Sequence, residues 1–339
     1  MEEPIEDVDD GGSAWMETFV PQSNIEVAVP HIPRISDPDE YGRLMRRLTR
    51  QILEKAGATS AFDSPLLWYY TPIDSEWSLG HFESSGIIYD CMDELSAFRG
   101  ARPELVEAEQ RLFEWADIVF TGGYELWLRK KAFHPNVHFF GCGVESNHFG
   151  QALLDDTAIP EDVASLKKPI LGWFGVIDER VDYSLLDRLA EARPDWSIVM
   201  VGPTVKVDPS ELPRRENILW LGNRDYRSLP NYCKAFDICM MPFALNEATV
   251  YINPTKALEY MATGRPIIAT PVRDVVRQYS DIVYIEAEAE GFIRRAEQIL
   301  RDPDEARVRR GIEKAAASSW DNTVEKMRNL IFEAVAGRG

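Results

Sequence analysis

Cysteine, long apolar runs and positive charge are all scarce in this sequence of 339 residues. The four cysteines lie far apart except Cys233 and Cys239, and no pair has the CxxC spacing, so neither a zinc site nor a disulfide framework is predicted. Free thiols in a reducing cytoplasm fit better, and the predicted compartment is the cytoplasm. No apolar run reaches transmembrane length, and the acidic start is the opposite of a signal peptide, which leaves only peripheral contact with a membrane open.

The shortage of positive charge is large, with 37 Lys and Arg against 56 Asp and Glu and a formal net charge of −19. This balance argues against a nucleic-acid partner and against broad adhesion to anionic lipid. The helix predicted over residues 38–56 carries four arginines between positions 43 and 50, opposite its apolar side. They could meet an acidic partner, but a solvated helix face is the favoured interpretation.

Beyond the acidic start, strands and helices alternate along the whole chain. Residues 1–33 hold eight acidic side chains and no Lys or Arg, and residues 1–23 are predicted to be irregular. The alternation after them predicts an α/β fold with parallel sheets covered on both faces. The polar segment 155–168 is the predicted linker between domains at 24–154 and 169–318. Ligands of such sheets bind beyond the carboxyl ends of the strands, which places Thr71, Asp90, Asp93 and Gly122 at the mouth of the first domain.

The most informative stretch runs from Tyr251 to Thr270, YINPTKALEYMATGRPIIAT, and reads as loop, helix, turn and strand. Pro254 suits the first helical turn, where a missing N–H costs nothing. The backbone N–H groups of the three residues behind it, Thr255 to Ala257, are expected to be free. Such a helix start attracts phosphate through its orphan donors and dipole, and the Lys256 ammonium adds a full positive charge there.

Glu259 follows Lys256 by three residues, so both side chains leave nearly the same face of the helix. A cation at a helix start with a carboxylate one turn later suits a nucleotide, with the diphosphate on Lys256 and the ribose hydroxyls on Glu259. The alternative is a surface helix that carries an ion pair between these residues. From the two charges alone, that alternative is favoured.

This stretch resembles the donor-site helix of GT-B glycosyltransferases, which include the family 4 enzymes, in the pattern P-x-K-x-x-E-Y-x-A-x-G-x-P-x-x-x-T. The resemblance continues upstream in GWFGVIDERVD (172–182), VGP (201–203) and the block at 217–243. It implies two Rossmann-like domains with doubly wound parallel sheets that face each other across a cleft, the N-terminal one short. It also implies that Lys256 contacts the donor diphosphate, that Glu259 holds the ribose, and that a last helix within 319–339 returns to the first domain.

The resemblance extends the predicted donor site to residues outside the helix. Arg180 stands where family members carry a basic residue over the phosphates, although a surface pair with Asp178 or Asp182 is nearly as well supported. Glycines just after two strands allow a ligand to approach the backbone closely, or serve only as turns. The remaining predicted donor-side residues are Gly175, Gly202, Asn253 and Thr255.

Two positions depart from the family pattern. Family 4 enzymes typically have a glutamate that touches the donor sugar where this chain has Tyr251, and often a histidine where it has Met92. Asp93 or Asp90 is then the candidate catalytic base, although a helix cap is an equal alternative for either. His31 and His81 are further candidates, but a lone histidine is more often structural.

The start of the chain also departs from the family pattern. Glu2-Glu3-Pro4 resembles the end of the second strand of such proteins, so a first strand and helix are expected to be absent and two sheet edges exposed. Asp7-Val8-Asp9 has the D-x-D spacing of the manganese site in GT-A enzymes, but it lies in an acidic run and is interpreted as solvated surface. No metal and no cofactor are expected.

The predicted function is transfer of a sugar from a nucleotide diphosphate donor to a saccharide or lipid-linked acceptor in surface polysaccharide synthesis. Two alternatives remain. One is a non-catalytic nucleotide-sugar-binding or scaffolding relative, which the short first domain, Tyr251 and Met92 would suit. The other is a GT-B-fold sugar-nucleotide epimerase, which would convert the donor without an acceptor.

Overall fold

A computed structural model describes residues 4–8, 12–56 and 64–337, in which strands and helices alternate. The first half contains strands β1 (Trp15–Gln22), β2 (Ile25–His31), β3 (Leu66–Tyr69), β4 (Gly86–Cys91), β5 (Ile118–Thr121) and β6 (Val137–Phe139), with helices α1 (Pro38–Ala56), α2 (Ile73–Ser78), α3 (Glu104–Trp115), α4 (Tyr124–Lys130) and α5 (Ser146–Phe149).

A short helix, α6 (Glu161–Ala164), lies within the segment predicted as a linker. The second half contains strands β7 (Ile170–Phe174), β8 (Ser197–Val201), β9 (Ile218–Gly222), β10 (Ile238–Met241), β11 (Ile267–Ala269) and β12 (Tyr284–Ile285), with helices α7 (Tyr183–Ala192), α8 (Leu229–Ala235), α9 (Lys256–Ala262), α10 (Arg273–Tyr279), α11 (Ala289–Arg301), α12 (Glu305–Ala317) and α13 (Trp320–Ala336).

The first half forms a parallel sheet in the order β3-β4-β5-β6. Every residue of β4 and β5 is buried, because helices cover both faces of the sheet. Helix α3 covers one face through Leu112 and Phe113, which pack with Ile87 and Val119. This sheet confirms the predicted parallel α/β architecture of the first half.

The segment at the N-terminus corrects the prediction that residues 1–23 are irregular. Residues 15–22 form β1, which pairs antiparallel with β2 as a separate two-stranded sheet. The Trp15 ring stacks on the ring of His31 with 4.0 Å between centroids, and Asp7 accepts a hydrogen bond from His31 Nδ1 at 2.8 Å. The acidic composition predicted an irregular chain. The strand pairing, the Trp15–His31 stacking and the contact of His31 with Glu17 stabilise a hairpin there instead.

These contacts give His31 and Asp7 structural roles in place of the catalytic and metal-binding ones considered from sequence. Asp9 of the D-x-D motif lies outside the described residues. Within the described chain, no three His, Cys, Asp or Glu side chains gather in a way that could hold a metal ion.

Strand β3 is an edge of the parallel sheet in the described chain, since only β4 pairs with it. Leu66 and Trp68 on this strand are 42% and 38% exposed, and Tyr70, just beyond it, is 64% exposed. Aromatic and aliphatic side chains are typical of a buried strand, so this edge is more apolar than an edge strand usually is.

The second half is a six-stranded parallel sheet in the order β12-β11-β10-β7-β8-β9. The chain leaves β7 toward β8 and β9 and then returns to the other side of β7 as β10, so the winding direction reverses there. A crevice opens at such a reversal, beyond the carboxyl ends of the two strands. The loops after Phe174 and Met241 therefore form the mouth of this domain, as the doubly wound prediction requires.

Helix α13 lies against the first sheet, the position that the family resemblance implies for it. Ile331 packs with Ile88, Ile118 and Phe120 on the face opposite α3. The chain passes between the two sheets twice, and the two passages touch where the Val144 N–H donates to the Ser318 carbonyl at 2.9 Å. None of the helices in residues 4–8, 12–56 and 64–337 combines the length and apolarity needed to cross a membrane.

The packing of α13 can be tested with two neighbouring residues. Ile331 is 6% exposed and Phe332 is 64% exposed. Ile331→Ala should lower the free energy of unfolding in urea by about 2–4 kcal/mol, because it empties a core position. Phe332→Ala is the matched control and should stay within about 0.5 kcal/mol of wild type. Equal effects of the two substitutions would contradict the position of α13.

Candidate functional site

Lys256 and Glu259 lie at the mouth of the second domain, on the first turn of α9. Lys256 Nζ is 2.9 Å from Glu259 Oε2, and the two side chains are only 22% and 14% exposed. The ion pair of the alternative interpretation is therefore present, but it is largely enclosed. The ammonium lies 5.0 Å from the centre of the Phe174 ring, at the end of β7. The pair thus faces the crevice at the reversal of the sheet.

The start of α9 differs in part from its prediction. Of the three backbone donors expected to be free, the N–H of Ala257 donates to the Pro254 carbonyl at 3.1 Å. The first turn is tighter than an ideal α-helix, which uses that donor internally. Thr255 makes no side-chain capping hydrogen bond within the described chain. The positive charge of Lys256, rather than a row of amides, is the dominant feature of this helix start.

The inner side of α9 follows the sequence prediction. Ala257, Leu258, Met261 and Ala262 are buried against the sheet. Gly264 ends the helix at a φ of 67°, the left-handed position predicted for it. The Tyr260 hydroxyl accepts the N–H of Phe174 at 2.8 Å, which ties the helix to the end of β7.

Gly175 and Gly202 meet backbone to backbone at the ends of β7 and β8. A Cβ on Gly202 would lie 1.8 Å from the Gly175 carbonyl oxygen, so a side chain cannot be accommodated there. A Cβ on Gly175 would lie 3.2 Å from Lys256 Cε and 2.9 Å from Trp173 Cζ2. Gly202 is therefore explained by packing, whereas the small size of Gly175 keeps room beside the lysine.

Arg180 has the pairing that the sequence analysis gave as its alternative. Its Nε and Nη2 donate to the two oxygens of Asp178 at 3.0 and 2.6 Å. The guanidinium also lies 5.7 Å from the ring centre of Phe98, which belongs to the first domain. Arg180 therefore lies in the cleft between the domains, and Asp178 neutralises its charge.

Asp93 faces this pair from the first domain. Burial raises the pKa of Asp93, the nearby Arg180 guanidinium lowers it, and Asp178 raises it again. Burial raises the pKa of the Cys142 thiol to about 12, with Asp93 and Glu259 adding to the rise and Lys256 opposing it. The charge of Asp93 and those of the Lys256–Glu259 pair thus all influence this one thiol.

Asp90, the other candidate base, has different surroundings. It is 6% exposed on β4, and its Oδ2 accepts a hydrogen bond from Trp68 Nε1 at 3.2 Å. Burial raises its pKa from 3.8 to about 6, against the lowering effect of that hydrogen bond. The structure brings Asp93 to the donor-side residues and leaves Asp90 beside the half-exposed Trp68.

The other positions singled out from sequence lie at or near the cleft with different roles. Asn253 Nδ2 donates to the Gly122 carbonyl at 2.9 Å, so this predicted donor-site residue joins the two domains. Met92 is 40% exposed, and its Cε would lie 3.1 Å from a Cβ placed on Gly122. His81 is exposed after α2.

Tyr251 also joins the domains. Its ring packs against the core of the first domain, and its hydroxyl accepts a hydrogen bond from Arg129 Nη1 at 3.2 Å. Arg129 is held in turn by Glu94, whose Oε2 is 2.7 Å from Arg129 Nε and 2.8 Å from the buried Lys130 ammonium. The position where the family resemblance implies a sugar-binding glutamate is therefore an interdomain contact in this chain.

Tyr226, Glu145 and His148 form a cluster that the sequence did not indicate. The Tyr226 hydroxyl donates to Glu145 Oε2 at 2.6 Å, and its ring stacks on His148 with 4.5 Å between centroids. Burial raises the pKa of Tyr226, with Glu145 and Glu259 adding to the rise. Glu145 had been noted only as a departure from the aspartate of related segments, and no local spacing indicated Tyr226.

Comparison with known proteins agrees with this geometry. Residues 168–302 match the family described as "Glycosyl transferases group 1". The chain is 28% identical over 258 residues to the putative teichuronic acid biosynthesis glycosyltransferase TuaH of Bacillus subtilis (strain 168), which covers 69% of this chain and 64% of that protein. The chain thus spans a little less than two thirds of the length of this relative.

Two solved structures show the same fold at low sequence identity. Sucrose-phosphate synthase (tll1590) from Thermosynechococcus elongatus has a TM-score of 0.70 and 18% identity, over 98% of this chain and 88% of that one. Anabaena Alr3699/HepE, in complex with UDP and glucose, has a TM-score of 0.65 and 13% identity, over 89% and 85%. The two parallel sheets of this chain therefore form a GT-B fold.

The raised pKa of Asp90 predicts a pH effect on stability. Between pH 3.8 and about 6 the folded chain keeps a proton on Asp90 that the unfolded chain has lost. The free energy of unfolding should therefore fall as the pH rises through this window, by about 3 kcal/mol at most for a pKa difference of this size.

Asp90→Asn keeps an acceptor for Trp68 and cannot titrate. Urea unfolding of both proteins from pH 3.5 to pH 7 should show the wild type losing stability relative to the variant. A constant difference between the two proteins across this range would show that Asp90 titrates normally.

Proposed function

We propose that this chain, whose residues 168–302 match the group 1 glycosyltransferases, moves a sugar from a nucleotide diphosphate donor to an acceptor. The observation that carries the proposal is the enclosed Lys256–Glu259 pair at the crevice where the second sheet reverses. A cation there can hold a diphosphate and a carboxylate one turn later can hold ribose hydroxyls. The family match supplies the reaction class.

In this proposal the leaving diphosphate is stabilised by charge in the cleft. Lys256 is the first cation, since its ammonium already lies in the mouth, 5.0 Å from the Phe174 ring. Arg180 is the second, and it would share its bidentate Asp178 contact with a phosphate or release it. Fixed cations at the leaving group lower the barrier because the negative charge grows there in the transition state. We propose that these side chains do this without a metal cofactor.

The acceptor enters from the first domain. Asp93 is the proposed base for its hydroxyl, because it faces the donor-side charges across the cleft and burial raises its pKa toward the range useful for proton transfer. Asp90 is the less favoured choice, since it is engaged by Trp68. The acceptor class that we propose is a saccharide or a lipid-linked acceptor in surface polysaccharide synthesis, in line with the teichuronic acid biosynthesis named for the Bacillus relative.

The proposed compartment is the cytoplasm, where nucleotide sugars serve as donors. The four cysteines are all free and buried, an arrangement suited to a reducing environment. HepE was solved with UDP, so UDP is the first nucleotide to test. GDP and ADP complete the set of nucleoside diphosphates to test.

One observation favours a second candidate, a non-catalytic nucleotide-binding relative. Tyr251 stands where the resemblance implies a sugar-binding glutamate, and it is turned into the first domain. Such a protein would bind the nucleotide and transfer nothing. Incubation with a radiolabelled nucleotide sugar and candidate acceptors separates the two, since only an enzyme releases the free nucleotide.

Lys256→Ala should weaken binding of the nucleotide diphosphate by about 1.5–3 kcal/mol, the effect of losing a hydrogen bond to a charged group. Titration calorimetry with UDP, GDP and ADP measures it. The exposed lysine of α12, in Lys314→Ala, is the matched control and should bind like the wild type. Normal binding by a folded Lys256→Ala protein would remove this residue from the phosphate site.

Glu259→Gln tests the ribose role separately. It should weaken the binding of a nucleoside diphosphate by roughly 1–2 kcal/mol, because an amide accepts from ribose hydroxyls less strongly than a carboxylate. Inorganic pyrophosphate has no ribose, so its affinity should not fall. A parallel loss for pyrophosphate and nucleotide would show that Glu259 acts only by orienting Lys256.

A further inference from the structure

A buried carboxylate, Asp274 of α10, reaches across the junction between the two domains. Asp274 is 0% exposed. Its Oδ2 accepts the backbone N–H of Tyr124 at 2.6 Å, and its Oδ1 accepts that of Glu125 at 3.2 Å. These two amides begin α4 in the first domain, so a side chain of the second domain caps a helix of the first.

The sequence around α4 explains why the cap comes from outside. The capping position is Gly123, which has no side chain to offer. A Cβ there would lie 2.8 Å from the Tyr251 carbonyl and 2.9 Å from Asp274 Oδ2, so only glycine lets the second domain approach this closely. Gly123 thus leaves α4 without a local cap and also makes room for Asp274 to supply one.

Charges around the junction reinforce the contact. Glu125 is paired with Arg273 at 3.4 Å and with Arg277 at 3.1 Å, both on the same helix as Asp274. The Arg277 guanidinium also lies 4.4 Å from the centre of the Tyr124 ring. Each contact crosses from α10 to the first turn of α4, and together they fix the relative position of these helices.

Helix α10 also contacts Asn253, which lies in the loop just before α9. Gln278 Nε2 donates to Asn253 Oδ1 at 3.3 Å, and Asn253 Nδ2 donates to the Gly122 carbonyl at 2.9 Å. Asn253 is three residues before Lys256. A displacement of α10 from α4 would therefore move the turn that presents the lysine.

We propose that Asp274 is a positioning residue that holds the two domains in the arrangement in which Asn253 and Lys256 meet the donor. The inference rests on the proposed function, since it concerns the same nucleotide site. Separating the domains would expose both amides and the carboxylate to water. An asparagine at this position keeps one oxygen acceptor but turns an NH2 group toward the other backbone N–H. One buried donor is then left without its acceptor in the closed arrangement, which favours separation.

The test compares Asp274→Asn with Asp281→Asn in the full chain. Asp281 is exposed just beyond α10, so its substitution removes the same charge from the same region without touching the junction. For whichever of UDP, GDP and ADP binds the wild type, Asp274→Asn should raise the Kd about tenfold, and Asp281→Asn should leave it unchanged.

Hydrogen exchange, measured with the nucleotide at saturation, supplies a readout local to the junction, because a general loss of stability would speed exchange throughout both sheets. In Asp274→Asn, the amides of residues 124 and 125 should exchange faster. The extra protection that nucleotide gives to residues 253–259 of the wild type should be lost in this variant.

The outcomes separate the two proposals. If the wild type is folded but binds none of the three nucleotides, the proposed function fails, and this inference with it. If the wild type binds and Asp274→Asn behaves like Asp281→Asn in both affinity and exchange, the proposed function stands and the positioning role is wrong.

If Asp274→Asn shows no cooperative unfolding, Glu125→Gln replaces it. That variant removes two ion pairs from the same junction and keeps the buried cap. It should raise the Kd of the nucleotide about threefold. Unchanged binding would overturn the inference.

Discussion

The close contact between the Gly175 and Gly202 backbones sets the geometry of the mouth. The two strand ends approach so closely that a Cβ on Gly202 would lie 1.8 Å from the Gly175 carbonyl. The side chains of Trp173 and Lys256 lie against Gly175, with Lys256 Cε 3.2 Å from where a Cβ of that glycine would stand. The place of the Lys256 side chain therefore depends on the packing of two main chains.

Local features of the second domain could be predicted from sequence because they depend on residues close together in the chain. Lys256 and Glu259 share a helix turn, and Gly264 ends that helix, so spacing alone placed them correctly. The free amides at the helix start could not be predicted fully, since the Pro254 carbonyl takes one of them. The tight first turn forms this hydrogen bond, and a sequence pattern does not show how tight a helical turn is.

Contacts between distant segments were beyond sequence reasoning. Asp274 meets residues 124 and 125, about 150 positions away, and no spacing rule links them. Asn253 was assigned to the donor side by resemblance, and Tyr251 was noted as a departure from the family pattern, yet both side chains contact the first domain. The hairpin at residues 15–31 was missed for the same reason: His31 lies 3.2 Å from Glu17 and 2.8 Å from Asp7, contacts that only folding brings about.

All four cysteines lie inside the two cores, where burial raises the pKa of the Cys91 and Cys142 thiols well above its ordinary value. Thiols held in the neutral form and away from water react slowly with maleimides and other alkylating reagents. A single cysteine introduced on the surface of each domain would thus be labelled selectively while all four native cysteines are kept. Domain separation in this chain is therefore directly accessible to fluorescence and spin-label distance measurements.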